Sequence, residues 1–291
     1  MKKLLFISLF LCCNLVLAKE TTIVPVTEKK KTEFLRIKKD DKDHPIALQL
    51  ANVTYIPDDG IPNDLSVDLI SAVHIADKSY YENLNKLFKT YDVVLYELVA
   101  PEGTRVGDNA ANEGKSLLSA LQTGMKNVLG LTFQLDEVDY SPKNFVHADI
   151  SPDDFKKSMD EKGESFFSIF LNMWLVGLQQ QATNPNSVND IDLLMALFSS
   201  NREHNLKIIA AQQFIEMGPA MDALEGENGS TLVTARNLKA LKVLRREIEK
   251  DHKKFAIFYG AAHMPEMEKV LMKEFKMKPD QINWVDAWDL Q

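Results

Sequence analysis

Two histidines and a glutamate in this sequence have the residue types of a metal-binding or proton-transfer site. His74 and His263 each follow a short run of small or apolar residues, and Glu97 follows the apolar run 93–96. The runs before the histidines are Ser71-Ala72-Val73 and Gly260-Ala261-Ala262. Two imidazoles and one carboxylate suit manganese, cobalt or zinc and leave coordination positions open for water. The pattern predicts a divalent metal held by His74 and His263, with Glu97 as the third ligand or as the general base.

The three residues are expected to meet because each lies at or just beyond the carboxyl end of a predicted strand. In an open parallel sheet, ligands bind beyond the carboxyl ends of the strands. Small residues before each histidine would let the chain turn and bring the imidazole over the sheet edge. A carboxylate such as Glu97 is costly in an apolar strand unless a cation or hydrogen-bond donors lie nearby. A single histidine at a strand end is commonly structural, so the prediction rests on the three together.

A third histidine lies at another predicted strand end, where His147-Ala148-Asp149 follows the apolar residues Phe145 and Val146. His147 is interpreted either as a further ligand or general base, or as a structural residue. Asp149 could orient an imidazole from behind. Asp149 or Ser151 could instead cap the following helix, whose first position would be Pro152. For Asp149 we predict the cap.

Arg236 belongs to a predicted helix, on which it shares one side with Ala240 and Val243. An arginine that points inward could hold the Glu97 carboxylate or stabilise a developing oxyanion. An arginine that points outward would only make ion pairs along the helix surface. The helical pattern by itself leaves both orientations open.

The surrounding pattern predicts an α/β fold, with a central, largely parallel sheet built from two βαβ halves and a helical insert at about 109–225. The first half is the strand 67–73, the helix 77–90 and the strand 93–98. The second half is the strand 255–259, the helix 265–275 and the strand 282–287. A β-like segment at 46–56 precedes the first half, and a long helix at 231–251 precedes the second. Helices of the insert are predicted at 109–130, 151–161, 164–181, 187–200 and 203–224.

One segment of the insert, from Ser165 to Asn189, contains no charged residue. Its large apolar side chains recur at near-helical spacing, which predicts a buried helix. A sharper hypothesis makes residues 164–189 a lid or apolar wall over the site, together with Met217 and Met221.

The first 18 residues have the plan of a secretory signal peptide: Lys2 and Lys3, an apolar stretch to Leu17, and Ala18 at the cleavage position. The stretch is too short for a stable membrane span, and no span is expected in the mature chain. We therefore predict export to the periplasm or the medium, an N-terminal arm at 19–45 and a single domain at 46–291. Both cysteines of the chain, Cys12 and Cys13, lie in the signal, so disulfides and thiolate chemistry are excluded from the mature protein.

The composition is acidic and has enough apolar residues for an ordinary core. The net charge of −8 becomes −10 when the two lysines of the signal are removed. Without a basic stripe, nucleic acid is not an expected partner. Hydrophobic residues make up 45% of the chain, which suits one domain that is stabilised by burial alone.

The two segments that lead to His74 and His263, the strand that ends in Glu97 and the triplet Ala235-Arg236-Asn237 resemble the TraB/GumN family. That family belongs with TIKI-type proteases, and its wider relatives include erythromycin esterases and haem-binding ChaN lipoproteins. The resemblance covers most of the mature chain. Ser71 stands where the family favours glycine, whereas Gly260 to His263 match fully.

The resemblance implies a metal-dependent hydrolase with His74, Glu97 and His263 at the site and Arg236 beside them. We therefore expect Arg236 to point inward and the substrate to be a peptide or another small molecule. The ChaN likeness leaves open a haem- or metal-chelate-binding protein without turnover. A relative that kept the fold and lost its activity is a further alternative.

Overall fold

The computed structural model of the protein describes residues 32–58, 64–104, 129–165, 168, 190–225 and 229–291. The predicted signal peptide at 1–18 lies outside the described residues. So do the predicted helix at 109–130, apart from its last two residues, and almost all of the uncharged segment 165–189. Glu33–Gln291 form one compact unit.

Nine strands are described, in two sheets. The main sheet contains seven of them, and the small second sheet pairs β4 with β6. In chain order they are β1 Leu35–Lys39, β2 Pro45–Pro57, β3 Ser66–Ala72, β4 Ile75–Ala76, β5 Val93–Tyr96, β6 Thr132–Phe133, β7 Phe145–His147, β8 Lys254–Gly260 and β9 Met277–Asp289.

The main sheet is mixed, and its strand order is β1-β2-β3-β8-β5-β7, with β9 paired to β2. The strands β3, β8, β5 and β7 run parallel to one another. The strand β2 is antiparallel to β1, β3 and β9. Because four neighbouring strands are parallel, their carboxyl ends lie at one edge of the sheet. The register brings Ala72 opposite Gly260, and Tyr96 opposite both Phe258 and His147.

The central strand β8 explains why the parallel part of the sheet is stable. Phe255 to Tyr259 have no exposed surface, although adjacent side chains point to opposite faces. Phe258 belongs to the core on one face, with Phe88 and Trp288, whereas Tyr259 belongs to the core on the other. A strand buried on both faces is typically a continuous apolar run, and β8 has this composition.

Helices accompany this sheet, and serine side chains cap one α-helix and one π-helical turn. The Ser151 hydroxyl accepts a hydrogen bond from the Asp154 amide, with Pro152 following as the first helical residue. In chain order the helices are α1 Lys78–Phe88, α2 Gln134–Glu137, α3 Pro152–Lys162, α4 Asp190–Leu197, α5 Arg202–Glu225, α6 Arg236–Ile248 and α7 Met264–Lys273. A π-helical turn, Thr231–Ala235, leads into α6 and is capped by Ser230. No described helix is long and apolar enough to cross a membrane.

Three elements differ from the pattern-based expectations. Leu35–Lys39, which the sequence places in the N-terminal arm at 19–45, forms β1 and pairs with β2. The last strand is 13 residues long, because β9 follows β2 along nearly its whole length. Finally, β8 lies between β3 and β5, so the two strands of the first βαβ segment are not neighbours. The structure therefore confirms an α/β fold in which the central strands of the sheet are parallel.

Candidate functional site at the carboxyl edge of the sheet

The predicted residues lie at one edge of the sheet, where the parallel strands end. Glu97 follows β5 directly, and Asp149 lies two residues beyond β7. His74 lies two residues beyond β3. His263 ends a short 3-10 turn, Ala261–His263, that continues from β8. The residues come from distant parts of the sequence and meet here because the four strands share one direction.

Glu97 is the centre of this group, and its side chain is only 10% exposed. Its Oε1 accepts a hydrogen bond from Nη2 of Arg236 at 2.6 Å, and its Oε2 accepts one from the Gly260 amide at 2.7 Å. Burial alone would raise the pKa of this carboxyl group. The opposing effects of His263, Arg236, the Gly260 amide and His74 outweigh burial and lower the pKa below its ordinary value. Glu97 is therefore held as an anion.

Arg236 joins Glu97 to a second buried carboxylate, Asp149. Nη2 of Arg236 lies 2.6 Å from Asp149 Oδ2, and Nε lies 3.0 Å from Asp149 Oδ1. The Asp149 side chain is completely buried and also accepts a hydrogen bond from the Ile150 amide. The prediction that Asp149 caps the next helix is wrong, because Ser151 provides that cap. Asp149 orients the arginine and not an imidazole.

The inward orientation of Arg236 follows from its place at the start of α6. Ala240 and Val243, on the same side of the helix, are both buried against the sheet. The π-helical turn before α6 is closed by a hydrogen bond from the Ala235 amide to the Ser230 carbonyl, and π-turns often occur at functional sites. Nε and Nη2 of Arg236 are both engaged by carboxylates. This geometry suits an arginine that holds Glu97 better than one that receives an oxyanion.

His263 reaches the same carboxylate from the neighbouring strand. Its Nε2 lies 3.6 Å from Glu97 Oε1, and its side chain is 7% exposed. Its Nδ1 makes a 2.7 Å hydrogen bond with Oδ1 of Asn237. The ring also meets the Tyr259 ring edge to face, with the centroids 5.2 Å apart. Both sides of the imidazole are therefore restrained.

His74 lies at the same edge but in a different environment, because its side chain is exposed. Its backbone carbonyl accepts a hydrogen bond from the Gln134 amide, which ties the loop after β3 to α2. The imidazole is close enough to Glu97 to contribute to the lowered pKa of that carboxyl group. The structure thus brings Glu97, His263 and Arg236 into contact, and it leaves His74 beside them at the surface.

His147 has a separate set of contacts. Its Nε2 donates to the Leu98 carbonyl at 2.6 Å, so its Nδ1 is the nitrogen without a proton in the neutral ring. That Nδ1 is buried and has no hydrogen-bond partner among the described residues. The ring lies against Tyr96, with the centroids 5.7 Å apart. The role of His147 as a ligand or base stays a prediction.

Two residues of the site had no role assigned from the sequence. Asn237 is buried in the first turn of α6 and bonds to His263. Tyr259 is also buried, and its hydroxyl donates to the Ala148 carbonyl at 2.7 Å. A signal for Asn237 exists, because it lies on the apolar side of its helix with Leu241 and Leu244. A polar residue on an apolar helix face needs a buried partner.

The donor chemistry of this edge fits a divalent cation. With Nδ1 of His263 bonded to Asn237, Nε2 is the nitrogen directed toward Glu97, as in histidines that bind metals. Two carboxylates and one guanidinium leave one negative charge in the buried cluster, which either a protonated His263 or a bound cation would balance. Over the ranges that the structure describes, no three His, Cys, Asp or Glu side chains are already arranged as a metal cage. For the predicted ligands to hold one ion together, the exposed His74 side chain would have to approach His263 and Glu97.

Comparisons of the chain with models of known families, with curated proteins and with solved structures give no match. The TraB/GumN resemblance therefore stays a prediction from short motifs.

Proposed function

We propose that the protein is an exported, metal-dependent hydrolase whose active centre is the Glu97 edge of the sheet, with peptides or related amides as substrates. The observation that carries the proposal is the buried, ionised Glu97, which is contacted by Arg236 and approached by His263 Nε2. Buried carboxylates with strongly altered environments beside a histidine are typical of functional sites.

Glu97 acts in this proposal as a ligand and a fixed negative charge. Its lowered pKa makes it a weak proton acceptor at neutral pH, so it is a poor general base. Arg236 holds its Oε1 and the Gly260 amide holds its Oε2. These contacts keep the carboxylate in one orientation at the sheet edge, which is the preorganisation that catalysis requires.

His74 and His263 are the other two proposed ligands, with manganese, cobalt or zinc as candidate ions. When bound, such an ion would polarise the scissile carbonyl and lower the pKa of water. His263 is already restrained by Asn237 and Tyr259, whereas the exposed His74 is free to complete the set as substrate or ion arrives. We leave His147 outside the centre, because its unpaired nitrogen is shielded from solvent.

The finer organisation of the fold belongs to the same proposal. We infer that two strand–helix–strand segments bracket a helical insert, and the described helices α3, α4 and α5 between β7 and β8 support this. The hypothesis that residues 164–189 form a lid over the site is also part of the proposal. A variant that lacks these residues, folds and keeps the same substrate range would exclude the lid.

The experiment is equilibrium dialysis of the purified protein against manganese, cobalt and zinc, followed by mass-spectrometric analysis of a peptide library incubated with and without chelator. We expect saturable binding of about one ion per chain and cleavage that chelator abolishes. His74→Ala, His263→Ala and Glu97→Gln should each lower both. His44→Ala is the matched control, because His44 is exposed and pairs only locally with Asp40.

A protein that binds none of the three ions and cleaves no peptide would overturn the proposal. A Soret band on addition of haem, together with no cleavage, would favour the binding-protein alternative. Normal biological function of the folded His74→Ala and His263→Ala variants would favour an inactive relative.

A further inference from the structure

Asn237 makes three polar contacts inside the protein, and all three face the end of β8. Its Nδ2 donates to Glu266 Oε2 at 2.7 Å and to the His263 backbone carbonyl at 3.2 Å. Its Oδ1 lies 2.7 Å from Nδ1 of His263. Asn237 is 1% exposed, so water does not compete for these contacts. The amide thus bridges the first turns of α6 and α7.

The orientation of this amide follows from its partners. A backbone carbonyl and an ionised carboxylate both accept hydrogen bonds, and neither can donate one. The side-chain atom that faces His263 O and Glu266 must therefore be the NH₂ group. The atom that faces the imidazole is then the amide oxygen, and the usual ambiguity between the two ends of an asparagine does not arise.

The orientation of the amide in turn determines where the imidazole carries its proton. Because Oδ1 of Asn237 can only accept, Nδ1 of His263 must donate. In the neutral ring the lone pair then lies on Nε2, the nitrogen that is 3.6 Å from Glu97 Oε1. The opposite tautomer would bring the Nδ1 lone pair against the amide oxygen in a buried place, where two acceptors facing each other are costly.

We propose that Asn237, held in orientation by Glu266, is a positioning residue that fixes His263 as the Nδ1–H tautomer and so presents Nε2 to the Glu97 edge. The edge-to-face contact with Tyr259 limits rotation of the ring and supports the same arrangement. The tautomer is a property of the free protein. Its contribution to metal binding or hydrolysis rests on the proposed function.

The test is a long-range ¹H–¹⁵N correlation spectrum of protein labelled with ¹⁵N-histidine, recorded at alkaline pH. The chain has six histidines, and the spectrum of His263→Ala identifies the signals of His263. We expect a protonated Nδ1 and an unprotonated Nε2 in the wild type. Asn237→Asp combined with Glu266→Gln keeps an acceptor for Nδ1 and gives the second carboxylate oxygen an amide donor in place of the Glu266 carboxylate, so this double variant should keep the tautomer. Asn237→Leu removes the acceptor and should give the Nε2–H form or a mixture.

Asn85→Leu is the matched control, because Asn85 is a partly buried asparagine that bonds to the Glu137 carbonyl and the Asp139 amide at the end of α2. It should leave the His263 signals unchanged. In manganese dialysis, Asn237→Leu should bind about 10–100-fold more weakly than the wild type, with the double variant Asn237→Asp, Glu266→Gln close to the wild type.

An Nε2–H tautomer in the wild type would overturn the inference without any variant, so a failure of Asn237→Leu to fold does not remove the test. An unchanged Nδ1–H tautomer in folded Asn237→Leu would also overturn it. If the tautomer is as stated and no metal binds, the proposed function fails and the positioning role of Asn237 stands.

Discussion

Glu97 Oε1 and Arg236 Nη2 lie 2.6 Å apart, although 139 positions separate the two residues in the chain. Asp149 meets the same nitrogen at the same distance, so one guanidinium is shared between two buried carboxylates. This contact connects the ends of β5 and β7 to the start of α6. Stability and chemistry at the sheet edge therefore depend on the same arginine.

Replacement of Arg236 by methionine should lower the free energy of unfolding by about 3–5 kcal/mol. The reason is that Glu97 and Asp149 would stay buried without a counter-charge, which is the costly way to break a buried ion pair. Urea denaturation of the purified protein measures this loss. The free energy of unfolding of Arg236→Lys should lie between those of the wild type and Arg236→Met, because a lysine keeps the charge but cannot contact both carboxylates with a planar fork.

The control for this prediction is Arg245→Met on the same helix. Arg245 pairs with Glu274 at the surface, where both side chains are more than half exposed, and it also lies over the Phe275 ring. Exposed contacts of this kind contribute about 1 kcal/mol or less. Equal losses for the two variants would contradict the role of the buried cluster.

The lowered pKa of Glu97 predicts a contribution to acid unfolding. A carboxyl group whose pKa is lower in the folded state stabilises the protein above its unfolded value, and that stabilisation is lost as the pH falls through the folded value. The wild type should therefore lose stability below about pH 4.5, the ordinary value for this group. Glu97→Gln should show a smaller loss over the same range, measured as melting temperature against pH.

Glu274→Gln removes an exposed carboxylate and should keep the slope of the wild type. If Glu97→Gln has that same slope, Glu97 is not the group whose protonation weakens the fold in acid.

Alanine should be tolerated at Gly260 but not at Gly229. Gly260 has an ordinary φ of −53°, and an added Cβ would lie 3.4 Å from Glu97 Oε2, a normal contact. Gly229 has a φ of +65°, and an added Cβ would lie 2.7 Å from Thr234 Cβ. Gly260→Ala should change stability by less than about 1 kcal/mol, whereas Gly229→Ala should cost more than about 1 kcal/mol.

Thermal melts of the two glycine variants give the comparison directly. A strongly destabilised Gly260→Ala would show that the amide of residue 260 cannot keep its bond to Glu97 once a side chain is present.

Tyr259→Phe should lower stability by about 1–3 kcal/mol, because the buried Ala148 carbonyl would lose its donor. The ring would remain, and with it the edge-to-face contact that restrains His263. We therefore expect metal affinity close to that of the wild type in equilibrium dialysis. A large loss of affinity with little change in stability would indicate that the hydroxyl itself acts at the site.

A bound cation should raise the melting temperature, since a ligand that binds only the folded state stabilises it. At a free concentration of 100 times Kd the gain is about 2.7 kcal/mol. Manganese, cobalt and zinc are the ions to test by differential scanning calorimetry, and His74→Ala should remove most of the shift. His44→Ala should show the wild-type rise in melting temperature. If His74→Ala shows that same rise, the ion binds away from Glu97.

Much of the local structure could be predicted from the sequence, because it depends on neighbouring residues. The unbroken apolar run at β5 is typical of a strand buried on both faces, and the alternation of strand and helix indicates an α/β fold. The pairing of Ser151 with Pro152 is a local signal for the start of α3. The predicted ends of β3 and β5 agree with the observed strands to within two residues, with His74 just beyond the first end and Glu97 at the second.

Only the tertiary structure decided which of these ends are neighbours. The sequence predicts strands but not their order, because strand order depends on contacts between residues far apart in the chain, and here β8 lies between β3 and β5. That order brings His263 to Glu97 and Arg236 to Asp149, and it assigns to Asn237 an imidazole as its partner. Local patterns thus determined which residue types lie at each strand end, whereas long-range strand pairing determined which of their side chains are in contact.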